Sequence, residues 1–330
     1  MEMVCCIAGM HRSGTSMLTR LLNICGLYLG PKEELLPPGE DNPRGYWENL
    51  KFQVLNDEIL YRLGGGWDCP PRMDDDWLRT QEMQNFRERA LCLVNEFKGK
   101  EPWGWKDPRN ALLIKFWREV IPGLKVVLSV RNPLDVATSL NKRNNLSLAF
   151  SINLWLVYNK SIIETIHERD LIVTHYDNYF VNPERELERV TDFLHLRTSQ
   201  ELIKEACSTI SKGLRHSIST IEDLRKIPYT DEAVELYQHL CNLADFNYEC
   251  IANRSSSYPS EDRPSQNTKE KTQHIDERLI EVDRLNAIYR ELRRTEILFV
   301  HEINGYLKAQ QEEKEALLRE VRALDLYIDK

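Results

Sequence analysis

The segment 9-GMHRSGTS-16 sets two glycines, an arginine and three hydroxyl residues between a short apolar run and a helical pattern. Backbone N–H groups at a strand-to-helix turn converge on an anion together with the helix N-terminus, so this segment is expected to bind phosphate. It has the frame of GxxxxGK[ST], but Thr15 stands where a lysine would reach the β- and γ-phosphates of a nucleoside triphosphate. The apolar run VVLSV ends in Arg131 and not in an aspartate of the kind that holds magnesium, which also disfavours an ATP-dependent kinase. A second cluster, 130-VRNPLDVATS-139, puts Arg131 at the end of that run and Ser139 two turns into the helix that follows. A guanidinium fork and a hydroxyl suit another phosphate, the alternative being that Arg131 pairs with a carboxylate. Two such subsites point to a nucleotide phosphorylated at both its 5′ and 3′ ends.

Short strands must carry these groups. Residues 3–8 read as a strand entering the first loop, and MLTRLLNICGL reads as the helix leaving it. VVLSV is continuous and β-branched, as a strand buried on both faces should be, and Asn132 with Pro133 marks the N-cap and first position of the next helix. LIVTHYD at 171–177 repeats the pattern as a third strand of parallel type. Strands alternating with helices predict an α/β fold, a parallel sheet flanked by helices, whereas the Pro-, Gly- and Trp-rich segment 31–80 reads as irregular loops.

These motifs together resemble the sulfotransferases that use 3′-phosphoadenosine 5′-phosphosulfate (PAPS), over roughly residues 3–216 and nearest the bacterial type carrying GYWEN, WKDPR and RNP. The resemblance implies a P-loop-like nucleotide fold, PAPS as cofactor with 3′,5′-ADP as product, and no metal. It implies that Arg12 stabilises the bridging oxygen, that Ser13, Gly14, Thr15 and Ser16 wrap the 5′-phosphate, and that Arg131 and Ser139 take the 3′-phosphate. By the same resemblance Tyr176 lies near the adenosine, and Arg215, in a string that lacks the usual RKG, closes on the 3′-phosphate.

The general base is sought among carboxylates, because no histidine stands in a convincing position. Glu48, in the aromatic and glycine-lined 45-GYWEN, is the first choice, with Glu33, Glu34 and Glu40 as the others. In 105-WKDPR, either Lys106 or Arg109 meets the transferring sulfuryl oxygens, or Asp107 caps the helix and pairs with Arg109. Tryptophans in loops suggest stacking on sugar faces, and Trp117 and Trp155 suggest core packing. The expected acceptor is therefore a hydroxyl on a glycan, a lipid or phenol being the other choices.

Composition sets outer bounds. With 44 Lys+Arg against 52 Asp+Glu, the net charge of −8 argues against non-specific nucleic-acid binding, which needs a basic surface. The eight cysteines form no CxxC pair, so neither a zinc framework nor a disulfide scaffold is indicated. No apolar stretch approaches the ~18 residues of a membrane span, and the expected location is cytoplasmic. A polar segment at 253–272 reads as a flexible linker between a domain over 1–252 and a proline-free helical stretch over 273–330. That stretch predicts a long helix, either a coiled coil joining copies of the chain or a helix packed back on the first domain. A second functional class thus stands beside the enzyme: a non-catalytic nucleotide-binding module that docks a partner through this helix.

Overall fold

The computed structural model describes residues 3–39, 42–211 and 218–248, with residues 291, 292 and 295 farther on. The linker and terminal helix expected over 253–330 otherwise lie outside the described residues. Residues 57–74 group apart from the compact unit formed by the residues on either side of them, and the site below is built wholly within that unit.

The elements run in the order β1 (Val4–Ala8), α1 (Thr15–Ile24), α2 (Leu50–Arg62), α3 (Gln81–Asn95), β2 (Trp103–Lys106), α4 (Ile114–Val120), β3 (Lys125–Val130), α5 (Pro133–Asn144), α6 (Leu148–Thr165), β4 (Leu171–His175), α7 (Asn178–Val181), α8 (Pro183–Phe193), α9 (Gln200–Ser208), α10 (Ile221–Arg225) and α11 (Asp231–Leu243). The four strands form one parallel sheet in the order β2-β1-β3-β4. Register follows from burial: Cys6 of β1 lies between Trp105 of β2 and Val126 of β3, all three fully buried. With both faces covered, such strands carry apolar residues at successive positions rather than alternating ones.

Two clusters among the described residues position the site. Leu18, Leu21 and Leu22 of α1 pack with Leu187 and Val190 of α8 and with Ile203 and Ala206 of α9 against Ile7 and Val127 of the central strands. The second is aromatic. Phe52 stacks on Trp105 at 4.7 Å between ring centres, and Trp105 lies 4.9 Å from Trp117. The indole N–H groups of this cluster are satisfied, Trp105 Nε1 donating to Asn110 Oδ1 (3.0 Å) and Trp117 Nε1 to Asn56 Oδ1 (2.9 Å), as buried donors require.

Two expectations are corrected. The segment 31–80 is not all loop: it contains α2, started by Asn49, whose Oδ1 accepts the N–H of Lys51 (3.1 Å) and whose helix carries apolar residues at positions 52, 55 and 59. Trp103 and Trp105 are not loop residues open to a sugar. They lie on β2, a strand hidden in the sequence by its Trp-Gly-Trp-Lys composition, and are 1% and 0% exposed. Trp117 and Trp155 are buried as expected.

The aromatic cluster should dominate stability locally. Trp105→Ala is expected to lower the unfolding free energy by about 3–5 kcal/mol, whereas Leu91→Ala on the exposed side of α3 should change it by under about 0.5 kcal/mol, both read from urea midpoints.

Candidate active site

The first loop is fixed at two backbone points. Gly9 has φ 138°, and a Cβ there would stand 2.4 Å from the carbonyl oxygen of Ser129 on β3; Gly14 has φ 86°, and a Cβ there would stand 2.3 Å from the ring of Tyr176. Neither position accepts a side chain, so the chain passes flat against β3 and turns under Tyr176. Arg12 also lies in the left-handed region at φ 70°. Inside the turn the Ser13 N–H donates to Met10 O (3.1 Å), and Ser129 Oγ donates to Ser13 O (2.8 Å), tying the loop to the sheet. Gly14 is the N-cap of α1 and offers no side-chain oxygen. The first-turn N–H groups of α1 have no partner within the helix and point out of its end, where the macrodipole favours an anion. Ser13 Oγ is buried and has no hydrogen-bond partner among the described residues.

Residues distant in sequence close around this loop. Arg12 Nε donates to Ser139 Oγ on α5 at 2.9 Å, and Arg131 Nη1 donates to Arg12 O at 3.4 Å. The Arg131 guanidinium lies over the Tyr176 ring, 4.7 Å from its centre. The expected cap of α5 is in place, with Asn132 Oδ1 accepting from Leu134 N (2.9 Å) and Pro133 in the first turn. Asp135, one turn on, stands 3.8 Å from Arg131 Nε and accepts from Ser219 N (3.0 Å) and Ser219 Oγ (2.6 Å). Both readings of Arg131 therefore meet here: it lies beside a carboxylate and beside the loop. Burial raises the Asp135 carboxyl above the usual range against the opposing pull of Arg131. Arg215 and Glu40 lie outside the described residues.

On the other side of the loop, Lys106 at the end of β2 and Glu48 form a buried ion pair through Glu48 Oε1. The second oxygen, Oε2, is buried with no hydrogen-bond partner among the described residues. Desolvation raises the Glu48 pKa above that of an ordinary carboxylate; Lys106 pulls it back, and Asp107 adds to the rise. Trp47 has φ 67°, so the backbone turns between Trp47 and Glu48. Asp107 caps the short helical turn at 108–111 by accepting from Arg109 N (2.9 Å), pairs with Arg109 Nη1 (3.0 Å) and accepts from Asn56 Nδ2 (3.0 Å). The other two carboxylates weighed as base stand apart: Glu34 pairs with Lys51 (2.8 Å), and Glu33 is exposed.

His11 lies inside the phosphate loop, and the motif alone gives it no role as base. Desolvation in this half-buried position, followed by the charges of Arg109, Arg143, Lys106 and Arg12, lowers its pKa well below the usual imidazole value. A neutral imidazole thus sits where four cations bear on one volume. That convergence, which favours negative charge, was not legible from spacing because Arg143 and Arg109 come from different elements. Among the described residues, no group of three or more His, Cys, Asp or Glu side chains is arranged to hold a metal, and no single helix is long and apolar enough to cross a membrane.

The family model described as "Sulfotransferase family" matches residues 5–200, more than half of the chain. The chain belongs to the sulfotransferase family. As a sulfotransferase it performs sulfuryl transfer in the general sense, and its parallel sheet with flanking helices is the frame for that chemistry. Solved structures that match this sulfotransferase include the sulfotransferase domain of the Synechococcus PCC 7002 olefin synthase (17% identity, 72% of this chain and 94% of that one, TM-score 0.44). A sulfotransferase from Alicyclobacillus acidocaldarius (16%, 76% and 99%, TM-score 0.41) and one from Mycobacterium avium (13%, 75% and 78%, TM-score 0.47) match as well. Among curated proteins no significant match is found.

The buried pair generates a prediction. Glu48→Ala or Lys106→Ala alone leaves one uncompensated buried charge and should cost about 3–5 kcal/mol of stability, whereas the pair replaced together by Leu and Met should cost far less. A double-mutant cycle in urea, returning a coupling of the single losses near zero, would contradict the pairing.

Proposed function

We propose that this sulfotransferase transfers a sulfuryl group from PAPS to a hydroxyl of a carbohydrate acceptor, with residues 1–252 as the catalytic domain. The observation that carries the reading is the Arg12–Ser139 hydrogen bond, which joins the loop proposed for the 5′ end of the nucleotide to the turn proposed for its 3′-phosphate. The residues fit such a ligand: an unpartnered buried hydroxyl on Ser13, a helix end with no side-chain cap, and two guanidiniums within one cluster.

In this reading the first-turn amides of α1 with Ser13, Gly14, Thr15 and Ser16 hold the 5′-phosphate. Arg131, Ser139 and Arg215 hold the 3′-phosphate, and Tyr176, already under the Arg131 guanidinium, flanks the adenosine. PAPS supplies the sulfuryl group. Arg12 and Lys106 meet the negative charge that grows on the departing phosphate and on the equatorial oxygens, a pre-placed electrostatic contribution that needs no metal ion. Glu48 Oε2 takes the proton of the acceptor hydroxyl while Oε1 stays on Lys106. Its raised pKa makes it a stronger base than a solvated carboxylate at neutral pH. Trp47, one residue before this base, supplies an indole face of the kind on which sugar rings stack.

The test is release of 3′,5′-ADP above hydrolytic background when the protein is incubated with PAPS and oligosaccharides. Arg12→Ala should lose most turnover, and Arg131→Ala should chiefly raise the KM for PAPS. Glu48→Gln should lower kcat by about 10²–10⁴-fold. Because Glu48 must be ionised to act, activity should fall as pH drops through its pKa, at a higher pH than the ordinary value of about 4.3, and that acid limb should vanish in Glu48→Gln. A Glu48→Gln enzyme with unchanged rate at saturating substrates removes Glu48 as the base.

A further inference from the structure

Asp135 is fully buried in the first turn of α5, and none of the steps above uses it. Its two oxygens face different parts of the chain. Oδ1 accepts from Ser219 N (3.0 Å) and Ser219 Oγ (2.6 Å), 84 residues farther along, while Oδ2 stands 3.8 Å from Arg131 Nε. Asn132 completes the clasp on the same serine by donating through Nδ2 to Ser219 O (2.8 Å). The residue beyond is fixed as well, because Thr220 and Asp223 form the capping box that starts α10. A clasp on Ser219 does not by itself need a charge: the amide oxygen of an asparagine would accept the same two bonds, without the cost of burying a carboxylate. The charge therefore has to answer to something else.

Arg131 is the group it faces. The guanidinium has Asp135 on its Nε side, the Arg12 carbonyl oxygen 3.4 Å from Nη1, and the Tyr176 ring against one face. Those contacts set both the plane and the direction of a group carried on a long, rotatable stem. At 3.8 Å the pair with Asp135 is longer than a hydrogen bond, so the carboxylate orients the guanidinium by its charge. Two effects of opposite sign then compete. A carboxylate this near a phosphate subsite repels the phosphate, but a planar fork binds phosphate well only when both its N–H groups are aimed at it, which gives direction the larger weight.

We infer that Asp135 is a positioning residue for the nucleotide: it aims Arg131 at the 3′-phosphate and so sets the preference for a ligand phosphorylated there. The inference rests on the proposed donor reading, in which Arg131 takes that phosphate. Because Oδ1 is held by Ser219, the carboxylate is itself fixed, and the grip on the nucleotide is joined to the start of α10.

The test is calorimetric titration of the full chain with 3′,5′-ADP and with 5′-AMP, which differ only in the 3′-phosphate. Asp135→Asn keeps the size of the side chain and the acceptor for Ser219 but removes the charge beside Arg131. It should lower the preference for 3′,5′-ADP over 5′-AMP by about tenfold, as expected when a charge-assisted fork loses its aim, and leave the affinity for 5′-AMP unchanged. Ser219→Ala, which spares the Asp135 charge and the backbone N–H donor, should keep the preference. Arg131→Lys retains a cation but not a planar fork, so it should lose the preference as well, and it decides the question independently if Asp135→Asn does not fold. An equal loss of both nucleotides in Asp135→Asn, with their ratio unchanged, makes Asp135 a clasp for Ser219 only and overturns the inference. A ratio that rises in Asp135→Asn overturns it too, because repulsion then outweighs aim, and so does full preference in Arg131→Lys. A wild-type chain that binds the two nucleotides equally removes the donor reading and this inference with it, whereas a wild-type preference that survives Asp135→Asn removes the inference alone.

Discussion

The rest of the site depends on the contact of Arg12 with Ser139 across 127 residues of chain. It requires a loop that passes within van der Waals limits of β3 and under Tyr176, which only glycine at positions 9 and 14 permits. It also requires α5 to begin where it does, with Asn132 and Pro133 fixing the turn so that Ser139, two turns later, faces back toward the loop. Arg131 then reaches the Arg12 carbonyl. Cations gathered this closely repel one another, and a bound anion relieves that repulsion. Desolvation first, and this same field second, lower the pKa of His11, since a further positive charge there has no compensation.

The Glu48–Lys106 pair shows the opposite balance. Both groups are removed from water, and each alone would be costly. Paired through one carboxylate oxygen, they leave the other oxygen buried, without a partner among the described residues, and the carboxyl more basic than in solvent. A base held in reserve by a neighbouring cation is thereby ready to accept a proton without losing its position. The network of Asn56, Asp107, Asn110 and the two indoles fixes the end of β2, and with it Lys106, from behind.

Much of this was legible in the sequence because the informative groups are local. The glycine loop, the cap at Asn132 and the continuous apolar run of β3 each announce themselves within ten residues, and each is found in the structure at the expected place. What the sequence hid is non-local or disguised. β2 escapes detection because tryptophan, glycine and flanking prolines resemble a loop, although the same indoles make the aromatic core. α2 was lost in a segment whose prolines and glycines drew attention away from apolar positions 52, 55 and 59. The cations around His11 and the partner of Lys106 come from separate elements, and no spacing rule reports them.

The central claim is that one cavity holds both phosphorylated ends of an adenosine nucleotide. Its most direct measurement is calorimetric titration of the purified chain with 3′,5′-ADP, 5′-AMP and ATP. Binding of 3′,5′-ADP at least about tenfold tighter than 5′-AMP, with the difference abolished in Arg131→Ala, is the result expected for a charge-assisted grip on the 3′-phosphate. Equal affinity for 3′,5′-ADP and 5′-AMP, or binding of ATP alone, would contradict it.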